Sequence, residues 1–406
     1  MTATAPLPVV REPEDGIPPV ITDAGQLSKM CSKLKASTGP LAIDAERAGS
    51  YRYSQGAYLL QVRSDSVGTY LIDPIALPDL AQLAAAGANK LWILHAAQND
   101  LPCLDDLGLI PPRLFDTEIA AQLLGEEHFS LGALVAKYCG VELEKKYSMV
   151  DWSKRPLPRQ WLSYAALDVE FLIPLYHHLE TQLRKTGKHT WAKQECEALR
   201  RTTPPQPSAE PWRDMRGLGR ITKPRSLALA RELWRRRDEL ARHHDISPAR
   251  MLSDKVIVQI ARQLPSDSRQ LSRIVHGRHR RWLREWDDVL TQVQTLRADD
   301  LPRRKRRRNE YPHQRLWKAN HPDAQMRLQA LRDVTAAVAE DQSVSKDVLL
   351  PPKIQRQIAW YAPVATKRAV TTALRDYGAR DWQIDLMCAP VVTALKRAAH
   401  SSDSAD

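Results

Sequence analysis

An α/β domain followed by two all-helical units is the fold class that the sequence predicts. Three observations predict it. Short apolar runs mix with helical patterns up to about residue 201. A proline-rich stretch, residues 202–211, then interrupts the chain. Beyond it the periodic segments are helical, and one of them recurs 98 residues later.

The chain has 406 residues, enough for two or three domains that each bury a core. Its 43% hydrophobic and 27% charged content is that of a globular protein rather than a disordered one. No run approaches the roughly 18 apolar residues of a membrane helix. Residues 1–20 hold Pro, Glu and Asp instead of a basic-then-apolar signal pattern, and read as a flexible leader. Cys31, Cys103, Cys139, Cys196 and Cys388 are scattered, with no C-x-x-C pair. That argues against a zinc site and a disulfide framework, and fits a reducing cytoplasm. The net charge of +12 is divided unevenly, −4 over residues 1–210 and +16 over residues 211–406. Such asymmetry points to a polyanion-binding half joined to a half with another task.

Thr22-Asp23 suits a helix start, with Leu27, Met30 and Leu34 on one face. Residues 41–46 (Leu-Ala-Ile-Asp-Ala-Glu) read as a strand, and 57–62 and 68–74 as two more, the last stopped by Pro74. Their short connections suggest an antiparallel meander. Residues 79–86 look helical, 91–94 read as a buried strand, and a helix opens near Asp100 with Leu101, Leu104 and Leu107. Residues 114–117 read as another strand or a helix entry, followed by the helix of Ile119, Leu123 and Leu124. Residues 161–183 read as one long helix kinked at Pro174. In the basic half, residues 246–261 align without gaps on 344–359, and a helix start (Ser253-Asp254, Pro351-Pro352) recurs at the same place. Between the copies, Arg303, Arg304, Lys305, Arg306, Arg307 and Arg308 form a run of like charge, either a solvated linker or a phosphate-contacting arm.

The chemistry lies in carboxylates. Asp44 and Glu46, two apart on a strand, project from one face. Asp100 follows an apolar strand, and Tyr164 and Asp168 share a helix face at i,i+4. Singly, each has an ordinary structural reading: a solvated edge, a helix cap, a surface hydrogen bond. Together they would crowd four carboxylates into one site. Two like charges about 4 Å apart repel by roughly 4 kcal/mol at an effective dielectric of about 20. Multivalent cations relieve that, and hard oxygen ligands without His or Cys favour Mg²⁺ or Mn²⁺. Two such ions suit phosphodiester hydrolysis.

The order Asp44-x-Glu46, then His95-x4-Asp100, then Tyr164-x3-Asp168 resembles the DEDD 3′→5′ exonucleases, in their tyrosine-containing subclass. Trp152-x-x-Arg155-Pro156-Leu157, the following Tyr164-Ala165-Ala166-x-Asp168-Val169, and Leu114-Phe115-Asp116-Thr117 narrow this to a likeness to ribonuclease D. The helical units resemble the HRDC domain shared with RecQ-type helicases. The resemblance implies a ribonuclease H-like exonuclease domain with a mixed sheet flanked by helices. It places that domain at 21–201, a proline-rich linker at 202–218, HRDC domain 1 at 219–300, a basic linker at 301–312, an HRDC-like domain 2 at 313–398 and a tail at 399–406. It also implies that Asp44, Glu46 and Asp168 ligate the metal that activates water, with Asp44 bridging to a second. Asp100 completes the site, and Tyr164 orients the attacking water. The family has an aromatic residue after the motif glutamate, whereas this chain has Arg47, which on a continuing strand points away from the site.

The expected activity is 3′→5′ trimming of structured RNA such as tRNA precursors, releasing nucleoside 5′-monophosphates, by a monomer that uses two divalent ions. A DNA substrate and a non-catalytic RNA-binding scaffold are the alternatives. A helicase is excluded, because no G-x-x-x-x-G-K-[ST] phosphate loop occurs.

Overall fold

The computed structural model describes residues 6–144, 146–203, 208–303 and 311–403. Eight strands occur among them: β1 (Val9–Val10), β2 (Val20–Ile21), β3 (Leu41–Arg47), β4 (Ala57–Ser64), β5 (Gly68–Ile72), β6 (Leu91–Leu94), β7 (Arg113–Asp116) and β8 (Glu142–Leu143). Six form one mixed sheet in the order β2-β5-β4-β3-β6-β7. The meander β3-β4-β5 is antiparallel, while β6 and β7 add in parallel beside β3. The motif strand β3 is therefore central, buried on both faces. Leu41, Ile43 and Ala45 pack with Leu27, Met30 and Leu34 of the helix Ala24–Ala36, whose first turn Asp23 caps through Gln26 N. On the other face, Ala165 and Ala166 of the helix Arg159–Glu170 join Leu59 and Leu71 of the sheet in a second cluster. Two alanines at that contact let the helix approach the sheet closely.

Several expectations are corrected. The single kinked helix is two, Arg159–Glu170 and Leu172–Lys185, meeting at Phe171. Pro174 lies in the first turn of the second helix, where a missing N–H costs no intrahelical bond. Within the expected flexible leader, residues 9–14 are tied down: β1 pairs with β8, Ser163 Oγ donates to Arg11 O, and Glu14 N donates to Glu170 Oε1. Trp212, Met215 and Leu218, assigned to the linker, are buried in the first helical unit. The last helix, Asp381–Asp403, runs into the expected tail.

The helical repeat extends well beyond the aligned segment. Helices Pro224–His243, Pro248–Met251 and Asp254–Gln263 recur as Pro322–Asp341, Lys346–Leu349 and Pro352–Tyr361. Even the left-handed residues match, Asp245 with Ser343 and Leu264 with Ala362. The same turn of each unit docks on the exonuclease-like domain. Ser247 N donates to Tyr51 O (2.9 Å), and its counterpart Ser345 N donates to Gln122 O (2.8 Å).

At the second dock, Lys188 Nζ donates to Leu123 O and Ser343 O, and the rings of Trp191 and Trp382 stack 4.8 Å apart. Gly125 has φ +76°, and a Cβ there would stand 2.6 Å from Ser343 O. Gly125→Ala therefore combines left-handed strain with a backbone clash. It should cost about 2 kcal/mol or more, read as a lower thermal midpoint. An unchanged midpoint would mean that the dock relaxes freely.

Candidate active site

Strand alternation sends Asp44 and Glu46 to the face covered by the helix Arg159–Glu170, and that helix returns Asp168 to them. One carboxylate oxygen from each of Asp44, Glu46 and Asp168 lies within 4.8 Å of the others. Glu46 is buried, and the other two are half-buried. Tyr164, one turn before Asp168, lies beside its carboxylate. Asp100 is buried and lies within electrostatic reach of Asp44, Glu46 and Asp168, although it stands outside the tight cluster of three. All five predicted site residues thus converge, four of them from β3 and one helix.

Asp100 occupies a helix N-cap position yet makes no capping bond, which leaves its carboxylate for the site. Its placement depends on Asp116, a fully buried residue to which the sequence pattern assigns no role. Asp116 caps the helix Thr117–Leu123 through Glu118 N and Ile119 N. It also accepts from Ala96 N (3.1 Å) and Ala97 N (2.8 Å), pinning the turn that leads to Asp100. Ala96 holds left-handed backbone at φ 53° there. His95 hydrogen-bonds Thr117 Oγ1, and burial pushes its imidazole down to about 4, so it is a neutral structural group. Cys103 donates to Asp100 O, and burial raises its thiol to about 12.

The Trp-x-x-Arg-Pro motif is a brace behind Tyr164. Arg155 grips Asp73 with two hydrogen bonds and reaches Tyr58 O and Trp152 O. Trp152 is fully buried beside Trp161 (ring centroids 5.6 Å apart) and Tyr164 (6.4 Å), and Tyr147 meets Tyr164 edge-on at 6.1 Å.

Burial chiefly, and then mutual repulsion, holds these acids above the ordinary carboxylate range. Asp44 is raised by burial to about 6, and Asp100 by burial and the neighbouring Asp44 to about 8. Glu46 and Asp168 rise well above their usual values for the same reasons. Burial and the adjacent carboxylates also drive the Tyr164 phenol far up, so it stays protonated and positions rather than abstracts.

Arg47 departs from expectation. The register of β4 shifts opposite Glu46 and Arg47, where Tyr58 has no partner. The Arg47 side chain reaches the site all the same, with Nε 4.0 Å from Asp100 Oδ1. Gln61, paired with Asp44 across β3 and β4, is fully buried with neither side-chain polar atom hydrogen-bonded.

This donor set fits divalent cations. It offers hard oxygens, contains neither His nor Cys, and carries a charge density that is unstable without added positive charge. Of the basic run, only Arg303 is among the described residues, and it is exposed; Arg304, Lys305, Arg306, Arg307 and Arg308 lie outside them.

Comparison with known proteins identifies the domains that carry these residues. Residues 18–184 match the "3'-5' exonuclease" family model and 226–285 the "HRDC domain". Residues 310–395 match "3' to 5' exonuclease C-terminal domain", so the second helical unit carries its own family name despite the shared helix plan. Ribonuclease D of Bartonella henselae is 33% identical over 240 residues, covering 58% of this chain and 58% of that protein. Ribonuclease D of Pseudomonas paraeruginosa is 30% identical over 341 residues, covering 82% and 87%. A crystal structure of a protein from Bifidobacterium adolescentis superposes with TM-score 0.87 at 33% identity, covering 96% of this chain and all of that one. With these family models matched in order along the chain and a relative matched over most of its length, the chain belongs to the ribonuclease D family of 3′→5′ exoribonucleases.

Proposed function

We propose that the protein trims RNA from the 3′ end, hydrolysing phosphodiesters and releasing nucleoside 5′-monophosphates. Structured RNA with a 3′ extension, such as a tRNA precursor in the cytoplasm, is the substrate class, and a monomer is the working form. The observation that carries this reading is the convergence of Asp44, Glu46 and Asp168 within 4.8 Å under one helix. When bound, two Mg²⁺ or Mn²⁺ ions supply charge neutralisation, an activated water and stabilisation of the leaving oxygen. In this reading Asp44, Glu46 and Asp168 would hold the water-activating ion, Asp44 would serve the second as well, and Asp100 would complete the set. Tyr164 keeps its proton and aligns the attacking water by hydrogen bond. Water is excluded behind the site by Trp152 and the Ala165–Ala166 contact.

The basic half holds the substrate backbone. Beyond the run Arg303–Arg308, the turn Gly277–Trp282 presents Arg278, Arg280 and Arg281 exposed, with no ion pair among the described residues. Trp282 beside them packs at a tilt against His244, and cations next to an aromatic ring suit a single strand.

The decisive experiment compares RNA labelled at the 3′ or 5′ end with Mg²⁺, Mn²⁺ or EDTA, beside Asp44→Asn. Metal-dependent release of mononucleotides from the 3′ end is expected, with activity lower by about 10²-fold or more in the variant. Tight RNA binding without cleavage would favour the scaffold reading. Equal rates on matched DNA would favour a deoxyribonuclease.

A second test uses pH. The acids are raised above their unfolded values, so the metal-free folded state binds more protons than the unfolded chain between about pH 4 and about pH 8. Its stability therefore falls as pH rises through that window. Cation binding displaces those protons, so the Mn²⁺-induced rise in Tm should grow from about pH 5 to about pH 8. A shift independent of pH would sink the shared-cation assignment.

Replacing Arg303–Arg308 with Ser and Gly should flatten the dependence of log affinity on log salt by about 0.7 for each phosphate that the run neutralises. An unchanged slope would leave that run a linker.

A further inference from the structure

We propose that Arg47 is a substrate-phosphate clamp, resting beside Asp100 and transferring its guanidinium to a phosphate of the RNA end that enters the site. The inference rests on the exoribonuclease reading above and adds a specificity-determining residue to it. Three observations carry it. The side chain reaches toward the carboxylates rather than away from them, with Nε 4.0 Å from Asp100 Oδ1, beside a register shift in the paired strand. The side chain is 37% exposed while that of its partner Asp100 is 9% exposed, so the cation sits where buried charge meets solvent. Among the described residues its one ion pair is the 4.0 Å approach to Asp100, and its guanidinium makes no hydrogen bond.

Arg155 shows what a structural arginine in this domain looks like. Its fork is filled by both oxygens of Asp73 and by three carbonyls. Arg47 has the same five donors and has committed none of them to the described residues. A planar fork left open beside a hydrolytic centre matches a phosphate, which it can grip through two oxygens. Asp100 is also the residue whose negative charge a site cation would take over, and this frees Arg47 at the moment substrate arrives. The reacting end is then held by charge, at the rim of the site, from the strand that carries two of the acids.

The test uses the full chain and a short RNA whose 3′-terminal linkage is a methylene phosphonate, which keeps the charge but cannot be cleaved. Affinity is measured with Mn²⁺ across a salt series for wild type, Arg47→Ala and Arg47→Lys, and Mn²⁺ affinity is measured separately without RNA. Arg47→Ala should bind RNA about tenfold more weakly or worse, with a salt slope shallower by about 0.7. Arg47→Lys should keep the slope and recover part of the affinity, and Mn²⁺ should bind no more weakly in either variant. Wild-type slope and affinity in Arg47→Ala would overturn the proposal. So would weaker RNA binding matched by weaker Mn²⁺ binding, because Arg47 would then act through Asp100. Failure of the wild type itself to bind RNA would instead overturn the exoribonuclease reading.

Discussion

Repulsion among buried carboxylates is the interaction on which the rest of the site depends. Asp44, Glu46 and Asp168 stand closer than three charges tolerate in a water-poor setting, and Asp100 adds a fourth within reach. Left alone, such a cluster would protonate or spread apart. Burial in a rigid frame prevents the spreading: β3 is buried on both faces, and the helix above it is seated through two alanines. Held in place, the acids have only protons or cations to satisfy them. Their raised pKa values express the same stored demand that makes the site a cation binder.

The frame explains residues that never touch the cluster. Asp116 and Asp100 are both buried aspartates near helix starts, yet they do opposite work. Asp116 directs its lone pairs to four backbone N–H groups, which fixes the turn from Ala96 to Asp100. Asp100 directs none to its own helix and so remains available. On the other side, Arg155 ties the segment before the helix Arg159–Glu170 to Asp73 at the end of β5, and Trp152 presses on Tyr164. The motif residues divide into those that form the carboxylate cluster and those that hold it still.

That division also marks what is legible in the chain. Asp44-x-Glu46 and Tyr164-x3-Asp168 can be read because strand and helix periods are local properties that a sequence carries openly. The meander and the matching helix starts at Ser253 and Pro351 are open for the same reason. Arg47 defeats such reading because it is the last residue of β3, where a register shift in the paired strand and the reach of a long side chain let it approach Asp100. The break at Phe171 is hidden because Pro174 suits either a kink or a first turn, and only packing chooses between them. Trp212 reads as linker because its neighbours are prolines, although the core of the first helical unit claims it. Each miss is a tertiary decision at a position where the local signal fits two outcomes.

The repeat carries the argument one step further. Both helical units dock through one turn, with the amide of Ser247 or Ser345 donating to a carbonyl of the exonuclease domain. A duplicated unit thus kept its docking amide while the surfaces that receive it differ. One receiving carbonyl belongs to Gln122, at the end of a buried helix joined by a continuous core to the second unit. The other belongs to Tyr51, in the loop that leaves β3 only a few residues after Glu46. Arg250 stacks on the Tyr51 ring at 3.9 Å and donates to Ser50 O, while Arg52 pairs with Asp245. The first unit is therefore anchored on the strand that carries two of the acids, and the second on the scaffold behind them. Docking occupies the 245–250 turn and leaves Arg278, Arg280 and Arg281 exposed on a separate turn. The loop that receives the first unit continues the strand β3, so the seating of that unit and the placement of Asp44 and Glu46 share one connection.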